Sequence, residues 1–563
     1  MEFERVLKEI GGFGLFNKTV MLATLVLGTW HTSIYYFGHV FVLLTAPSQW
    51  CFVNGSALAT GDRTAWPRGK CQIMLPLEAG SHANATLVNE EGRSCPTGWQ
   101  FDASEFYMSA PMENQWVCSE SWKVYVVHGA FWAGSITGYL VSGFLADRIG
   151  RKLTILFLLL IGSCASLLAV FFSDFVCFAV LRYFTGIGAS TVCTMVFVIV
   201  IEYTVSERRT LVSFLWAMNF TSVACLLPWY AYLIQSWRGL LITGVCLDVL
   251  LAVTFCWVPE SSSWLLSVNR AKEAMAILEK IARFNGRTVS EEQLCKLLER
   301  TANGGDLPKT PAKTVSLWKS TLVMLKSPRI RRIMLLIYVG WFIITLCYNA
   351  ITLQLAKLGL NIYSTYSIAI AFEIPVNILC ILALDTLGRR WPNTLFMLTG
   401  GMVCLLMGLL RTDSDLWTLV MAVVCIMAFA GGYNVTYQLT SEVFPTVIRG
   451  RAVLLQRLVG DIGGLLGAQV ASLVEYDTFL PMLVMGTLAV ISSMLLFFLP
   501  DTINQALPQT IEDGETFALG QSICFCPLFP SRAVPRGSRK LSSSGRDREN
   551  SNGEVSANTP LSL

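Results

Sequence analysis

The sequence predicts an all-α membrane protein: twelve transmembrane helices in two six-helix halves related by duplication. Three observations carry this. A signature recurs: Gly143 to Lys152 reads G-F-L-A-D-R-I-G-R-K, and Leu384 to Arg390 reads L-D-T-L-G-R-R. From Gly150 and Gly388 onward the two stretches stay in step. Glu202, ahead of Arg208 and Arg209, matches Glu442, ahead of Arg449, and Pro259-Glu260 matches Pro500-Asp501. Composition agrees, since 53% of the 563 residues are hydrophobic and 14% are charged, against about a quarter charged in a soluble chain. Finally, each copy of the signature stands where an apolar segment meets a charged loop. Parallel duplicated halves are a transporter architecture, with the substrate site at their interface near the bilayer midplane.

About 20 apolar residues cross a bilayer as a helix. The first half offers Thr19–Leu44, Val124–Leu145, Leu153–Phe172, Phe175–Ile201, Thr210–Ile234 and Gly239–Val258. The second offers Ile333–Leu355, Tyr363–Leu384, Thr394–Leu410, Leu416–Tyr437, Ala452–Leu473 and Phe479–Leu499. The first segment is too long for a cleaved signal peptide and lacks a small-residue cleavage site. The chain then divides into an N-terminal segment over 1–18, a six-helix half over 19–258 with a loop at 45–123, a central loop over 259–332, a second half over 333–499 and a largely disordered tail over 500–563.

Cations favour cytoplasmic loops. Arg148, Arg151, Lys152, Arg208, Arg209, Arg389, Arg390, Arg449 and Arg451 all follow even-numbered spans. Both termini and the central loop are therefore expected in the cytoplasm, with the protein in the plasma membrane. The loop at 45–123 is expected outside. It carries glycosylation sequons at Asn54 and Asn84. Its Cys51, Cys71, Cys95 and Cys118 fit two disulfides, with three pairings open. In the central loop, an amphipathic helix over Val268–Phe284 is expected to pack under the bundle.

The net charge of +4 gives no sign of a nucleic-acid partner. No phosphate-binding loop, H-E-x-x-H motif or zinc-spaced cluster exists, and histidines number four. The expectation is no enzyme, no cofactor, no metal and no catalytic residue. The expected partners are the lipid bilayer and a small organic ion.

The motifs narrow the reading. Q-W-V-C from Gln115 to Cys118, P-E-S-S-S-W-L-L from Pro259 to Leu266, E-I-P from Glu373 to Pro375 and E-V-F-P-T-V-I-R from Glu442 to Arg449 accompany the duplicated signature. Together they resemble the organic cation, anion and zwitterion transporter family of the major facilitator superfamily, nearest its cation branch. The resemblance implies the major facilitator fold and polyspecific transport by alternating access, driven by membrane potential and gradient. The alternatives are an anion or zwitterion exchanger, or a receptor-like member that binds without transporting. The resemblance also implies a cytoplasmic gate built from Asp147, Arg151, Glu202, Arg208 and Arg209 in one half. In the other half the gate residues are Asp385, Arg389, Glu442 and Arg449. One departure is Ser262-Ser263 where the family usually has Pro-Arg, which is expected to loosen packing at this end.

Ionisable residues inside spans are costly and usually functional. Here they are His31, Arg182, Glu373, Arg457 and Asp461. His31 reads as a packed histidine, and Arg182 as equally able to be structural. Asp461 is the principal substrate candidate, because it heads D-I-G-G, whose glycines admit a close approach. Family resemblance places an aspartate here in cation carriers and an arginine in anion carriers. Asn377 likewise stands where anion carriers often hold a cation. Trp341 and Tyr348 share a helical face, and Phe197 and Phe220 align with pocket aromatics of the cation branch, so these four are expected to face a cation. Arg457, one turn before Asp461 on the same helical face, stands where the two could pair and keeps an anionic or zwitterionic substrate open.

Overall fold

The computed structural model describes residues 2–45, 49–52, 72–75, 86–88, 98–101, 107–287, 317–355, 361–411, 414–503, 505, 508–519 and 521. Helices occupy every predicted span. Spans 2 to 6 are Trp122–Ile149, Arg151–Ala169, Phe175–Glu202, Ser206–Ile234 and Trp237–Trp257. Span 7 is Pro328–Leu355, and span 8 is Ile362–Ala371 continued by Glu373–Leu387. Spans 9 to 12 are Arg390–Leu410, Asp415–Val443, Thr446–Ser472 and Leu480–Phe497. These eleven segments are long and apolar enough to cross a membrane.

Span 1 differs from its prediction. It runs over Leu15–Tyr36, and a separate short helix, Gly38–Val42, follows a break at Phe37. It is also more polar, burying Asn17, Thr24, Thr29, His31, Thr32 and Ser33. Elsewhere side chains start the helices. Asp174 accepts hydrogen bonds from the Val176 and Cys177 amides, and Asn361 from those of Tyr363 and Ser364, satisfying amides that lack helical partners. Leu233, Phe171, Leu409 and Leu382 are 71–78% exposed, the outward apolar surface that a lipid-facing bundle requires.

The duplication is visible in the packing. In the first half, span 1 packs on spans 4, 5 and 6, span 2 on 4, and span 3 on 4 and 6. In the second half, span 7 packs on 10, 11 and 12, span 8 on 10, and span 9 on 10 and 12. Adding six to each number of the first set gives the second. The halves meet through spans 2 and 11 and spans 5 and 8, two contacts that exchange under the same operation.

At the signature loops, Gly150 and Gly388 take φ of +97° and +77°. Besides this left-handed backbone, each is crowded by a carboxylate. A Cβ on Gly150 would lie 2.4 Å from Glu260, and one on Gly388 would lie 2.3 Å from Asp501. Only glycine fits both demands.

The loop between spans 1 and 2 holds strands that the sequence reading did not anticipate. These are β1 (Gln49–Phe52), β2 (Gln72–Leu75), β3 (Thr86–Val88) and β4 (Gln100–Phe101), ordered β3-β2-β1-β4. β1 runs parallel to β2, with Cys51 opposite Ile73, and antiparallel to β4. Cys118 is disulfide-bonded. Asn54, Asn84, Cys71, Cys95 and the Cys51 side chain lie outside the described residues, as do residues 522–563.

The central-loop helix covers Ala271–Phe284 and buries Ala274, Leu278, Ile281 and Ala282. It packs with Val6, Leu7 and Ile10, from a helix over Glu2–Glu9 and the turn after it, and with Phe255 and Val258 of span 6. Ala271, at the start of the helix, is exposed. Ser262-Ser263 sits in an ordered segment at this end. Ser262 is buried at the start of a short helix that Ser261 caps, and the Tyr203 hydroxyl donates to the Glu260 carbonyl at 2.5 Å beside it.

Candidate functional site

A cavity of about 270 Å³ lies between the halves. Spans 1, 2, 4 and 5 line one side, and spans 7, 8, 10 and 11 the other, again four matched pairs. Of the sequence-predicted residues, Asp461, Glu373, Arg457, Trp341, Tyr348 and Phe220 line it. Phe197 does not. Its ring packs on Trp216 at 5.3 Å, and Trp216 takes the place on the cavity wall.

Asp461 stands near the middle of span 11. The span begins at Thr446, earlier than predicted, so the carboxylate is roughly 22 Å along the helix at 1.5 Å per residue. The D-I-G-G glycines make the approach that the sequence suggested. A Cβ on Gly463 would sit 2.6 Å from the Phe342 carbonyl of span 7, and one on Gly464 would sit 2.9 Å from the Trp132 ring of span 2. These contacts bring Asp461 against the opposite half, where the Ser135 hydroxyl donates to it at 2.5 Å. This hydrogen bond joins the two halves at the cavity.

Helical spacing leaves Arg457 and Asp461 able to pair, but no direct ion pair or hydrogen bond joins them. The Arg457 guanidinium instead donates to the Tyr433 hydroxyl, and Tyr433 stacks at 4.3 Å against Trp341. Glu373 opens the second helix of span 8 and accepts from the Tyr348 hydroxyl at 2.7 Å. All three charged residues are buried or lie against the cavity, each hydrogen-bonded to a hydroxyl and none in a direct ion pair among the described residues, although Arg457 and Asp461 attract one another across the cavity wall. Buried charge without a direct ion pair is expensive. Tyr36, Trp132, Trp216 and Tyr433 also line it. The sequence reading did not single them out, because span aromatics give no directional signal without a packing partner.

At the loop end of the bundle, the side holding the loop between spans 1 and 2, the halves are clasped. The Tyr125 hydroxyl donates to Glu475 at 3.2 Å, Phe41 stacks on Tyr363, and the Ser367 hydroxyl donates to the Cys225 carbonyl at 2.9 Å. At the other end three ion pairs lie within a half. Arg151 faces Glu202 at 3.5 Å and Asp147 at 3.9 Å, and Arg389 meets Glu442 at 3.0 Å.

Residues 106–468 match the Major Facilitator Superfamily. Solute carrier family 22 member 13 of Homo sapiens is 30% identical over 532 residues, 91% of this chain and 93% of its own length. The chain belongs to solute carrier family 22 of the major facilitator superfamily. Organic anion transporter 3 of Oryctolagus cuniculus is 28% identical over 92% of this chain and 94% of that protein. The inward-open xylose transporter XylE of E. coli superimposes with a TM-score of 0.55 at 16% identity, over 87% of this chain and 97% of its own. That likeness shows the shared fold.

The superfamily signature acquires a structural content here. Glu260 accepts from the Arg151 and Lys152 amides at the start of span 3, at 2.9–3.2 Å. Asp501 accepts from the Arg389 amide at 3.2 Å, just before span 9. Both place a carboxylate on a helix N-terminus, where the helix dipole favours it. Arg151, Arg209, Arg389 and Arg449 each donate to a carbonyl five residues earlier, closing the preceding helix. Arg208 is exposed, and the Asp385 side chain lies outside the described residues. Glu260 and Asp501 were legible as repeat landmarks, although their role as caps was not.

Proposed function

We propose that this chain carries small organic ions across the plasma membrane by alternating access, with both termini in the cytoplasm. The carrying observation is Asp461. It lines the cavity at the junction of the halves, and its hydrogen-bond partner is the Ser135 hydroxyl, with no direct ion pair among the described residues. We assign it the cationic group of the substrate, with Glu373 as second carboxylate and Trp341, Tyr348 and Phe220 as aromatic walls. Aromatic faces attract a desolvated cation by about 2 kcal/mol. Substrate gradient and membrane potential supply the drive. The paired residues around Gly150 and Gly388 act as the gate that yields when the halves rock.

A second reading is favoured by Arg457, which lines the same cavity with only a tyrosine partner, and by relatives that include an organic anion transporter. In it, an anion sits on Arg457. The test is uptake of labelled tetramethylammonium, glutarate and trimethylglycine, side by side, in cells expressing the chain. Tetramethylammonium uptake above vector controls supports the cation reading. Uptake of glutarate alone transfers the assignment to Arg457. Surface binding with no uptake of any of the three would reduce the chain to a receptor.

A further inference from the structure

One side chain on the cavity wall has no part in the reading above: Tyr433 of span 10. Its ring lies 4.3 Å from that of Trp341 in span 7, tilted by 37°. Trp341 is fully buried and presses on span 11 at Gly460, where a Cβ would collide with its indole nitrogen. Packing therefore fixes where the Tyr433 ring sits, and with it the hydroxyl. That hydroxyl accepts a hydrogen bond from the Arg457 guanidinium, and both residues line the cavity.

Arg457 has an obvious alternative partner. It stands four residues before Asp461 in the same helix, Thr446–Ser472, a spacing at which opposite charges meet. The two attract one another. Yet the Asp461 carboxylate takes its hydrogen bond from Ser135 at 2.5 Å, and the guanidinium gives its own to Tyr433. Two hydroxyls, one from each half, stand where the charges would otherwise satisfy each other. A buried ion pair gains attraction and loses hydration, so its net balance is small. A hydrogen bond to a charged group is strong enough to tip it.

No other group on the wall does this for Arg457. The Tyr139 hydroxyl is turned to span 4, 3.2 Å from the Ser190 carbonyl and 3.1 Å from the Thr194 hydroxyl. Glu373 is engaged by Tyr348 at 2.7 Å. The first half keeps its own buried charges behind the wall. His31 Nδ1 lies 2.5 Å from Asp248 Oδ1, and His31, Asp248 and Arg182 are each 1% exposed, but none of the three lines the cavity.

We propose that Tyr433 is a positioning residue whose hydroxyl holds Arg457 off Asp461, so that both charges stay open to substrate. Without that oxygen the guanidinium closes on the carboxylate one turn away. Arg457 then takes the place of a substrate cation, and Asp461 the place of a substrate anion. The ring contributes wall and seat, and the oxygen alone contributes the restraint. This inference rests on the assignment of Asp461 and Arg457 to substrate recognition.

Tyr433→Phe tests it, because the substitution deletes the oxygen and keeps the ring on Trp341. Equilibrium binding of labelled tetramethylammonium and of labelled glutarate is measured on the purified full chain in lipid nanodiscs. For whichever ion the wild-type chain binds, Tyr433→Phe is expected to weaken binding on the order of fivefold, the scale of one hydrogen bond to a charged group. The deciding measurement is rescue. For tetramethylammonium, Tyr433→Phe combined with Arg457→Gln should bind as Arg457→Gln alone does, since no guanidinium is left to close on Asp461. For glutarate, Tyr433→Phe combined with Asp461→Asn should bind as Asp461→Asn alone does. A lost wall contact or a loosened fold would persist in the double variants, so a defect that is not rescued overturns the positioning role. Wild-type affinity in Tyr433→Phe overturns it as well. These outcomes leave the recognition reading intact, whereas a wild-type chain that binds neither ion removes that reading and the inference together.

Discussion

The two halves share a frame and differ in where they keep their charges. Their helices pack in the same pairs, and each turns its signature loop on a positive-φ glycine against a carboxylate. Yet the charged residues on the cavity wall, Glu373, Arg457 and Asp461, all come from the second half. The first half contributes aromatic and neutral polar side chains there, and encloses His31, Asp248 and Arg182 behind them. Duplication has thus kept what the backbone needs and released what recognition uses. Packing constrains every neighbour of a buried glycine or capping carboxylate. A side chain facing a cavity is constrained only by its occupant.

The sharpest way to break this contrast is Asp461→Asn. If the second half supplies recognition, cation uptake should fall by more than about tenfold, equivalent to 1.4 kcal/mol or more, with surface expression unchanged. Unaltered cation transport in that variant would sink the assignment. Ser135→Ala separates two roles for the same carboxylate. It removes the hydrogen bond across the halves but keeps the charge, so it should change turnover more than apparent affinity.

Arg457 sharpens the comparison from the other side. Arg457→Gln removes the only guanidinium on the cavity wall among the described residues. It is expected to raise preference for tetramethylammonium over glutarate several-fold, on the scale of about 1 kcal/mol for a charge-assisted contact. A fall in cation uptake matching that of Asp461→Asn would mean that the two residues act as one unit.

The gate should respond evenly, because there the halves are alike. Arg151→Ala deletes the ion pairs to Glu202 and Asp147 and the contact to the Ala146 carbonyl, and Arg389→Ala deletes the ion pair to Glu442 and the contact to the Leu384 carbonyl. Each is expected to slow turnover a few-fold for every substrate, without altering selectivity. The check is initial uptake of two different substrates in both variants. A change in their ratio would move these residues from gate to recognition.

How much of this was legible beforehand follows the same division. The repeat, the spans and the signature residues could be read because hydropathy and spacing are one-dimensional. Most of the substrate candidates reached the cavity for a related reason: ionisable residues within apolar spans are rare enough to stand out. Phe197 was misplaced because an aromatic's facing depends on its neighbour, here Trp216. The option of pairing Arg457 with Asp461 rested on helical spacing alone, and Tyr433 and Ser135 from other spans captured the two groups instead. Asp248 was overlooked altogether. Its partner His31 is far away in sequence, and nothing local announces the contact. The strands of the loop between spans 1 and 2 escaped because each has two to four residues.

The smallest predicted effect lies at the loop end, away from both the cavity and the gate. Glu113, in a short helix over Ala110–Glu113, receives two hydrogen bonds from Arg238 at 2.6 and 2.7 Å, and one from Trp237 Nε1 at 2.9 Å. These donors, Arg238 foremost, hold the Glu113 carboxyl below its ordinary range. A depressed carboxyl stabilises the folded chain above its unfolded pKa, about 4.3, and that contribution is lost as pH falls through the folded value. Both side chains are 36% exposed, so solvent screening limits the pair to about 0.2–1 kcal/mol. Glu113→Gln should therefore lower thermal stability slightly at neutral pH, and the gap from wild type should close in acid, below about pH 4. It should leave the charge preference of transport unchanged, because the pair lies away from the cavity. A stability gap that persists in acid would show that Glu113 acts through shape, and that the ion pair contributes nothing to docking the loop.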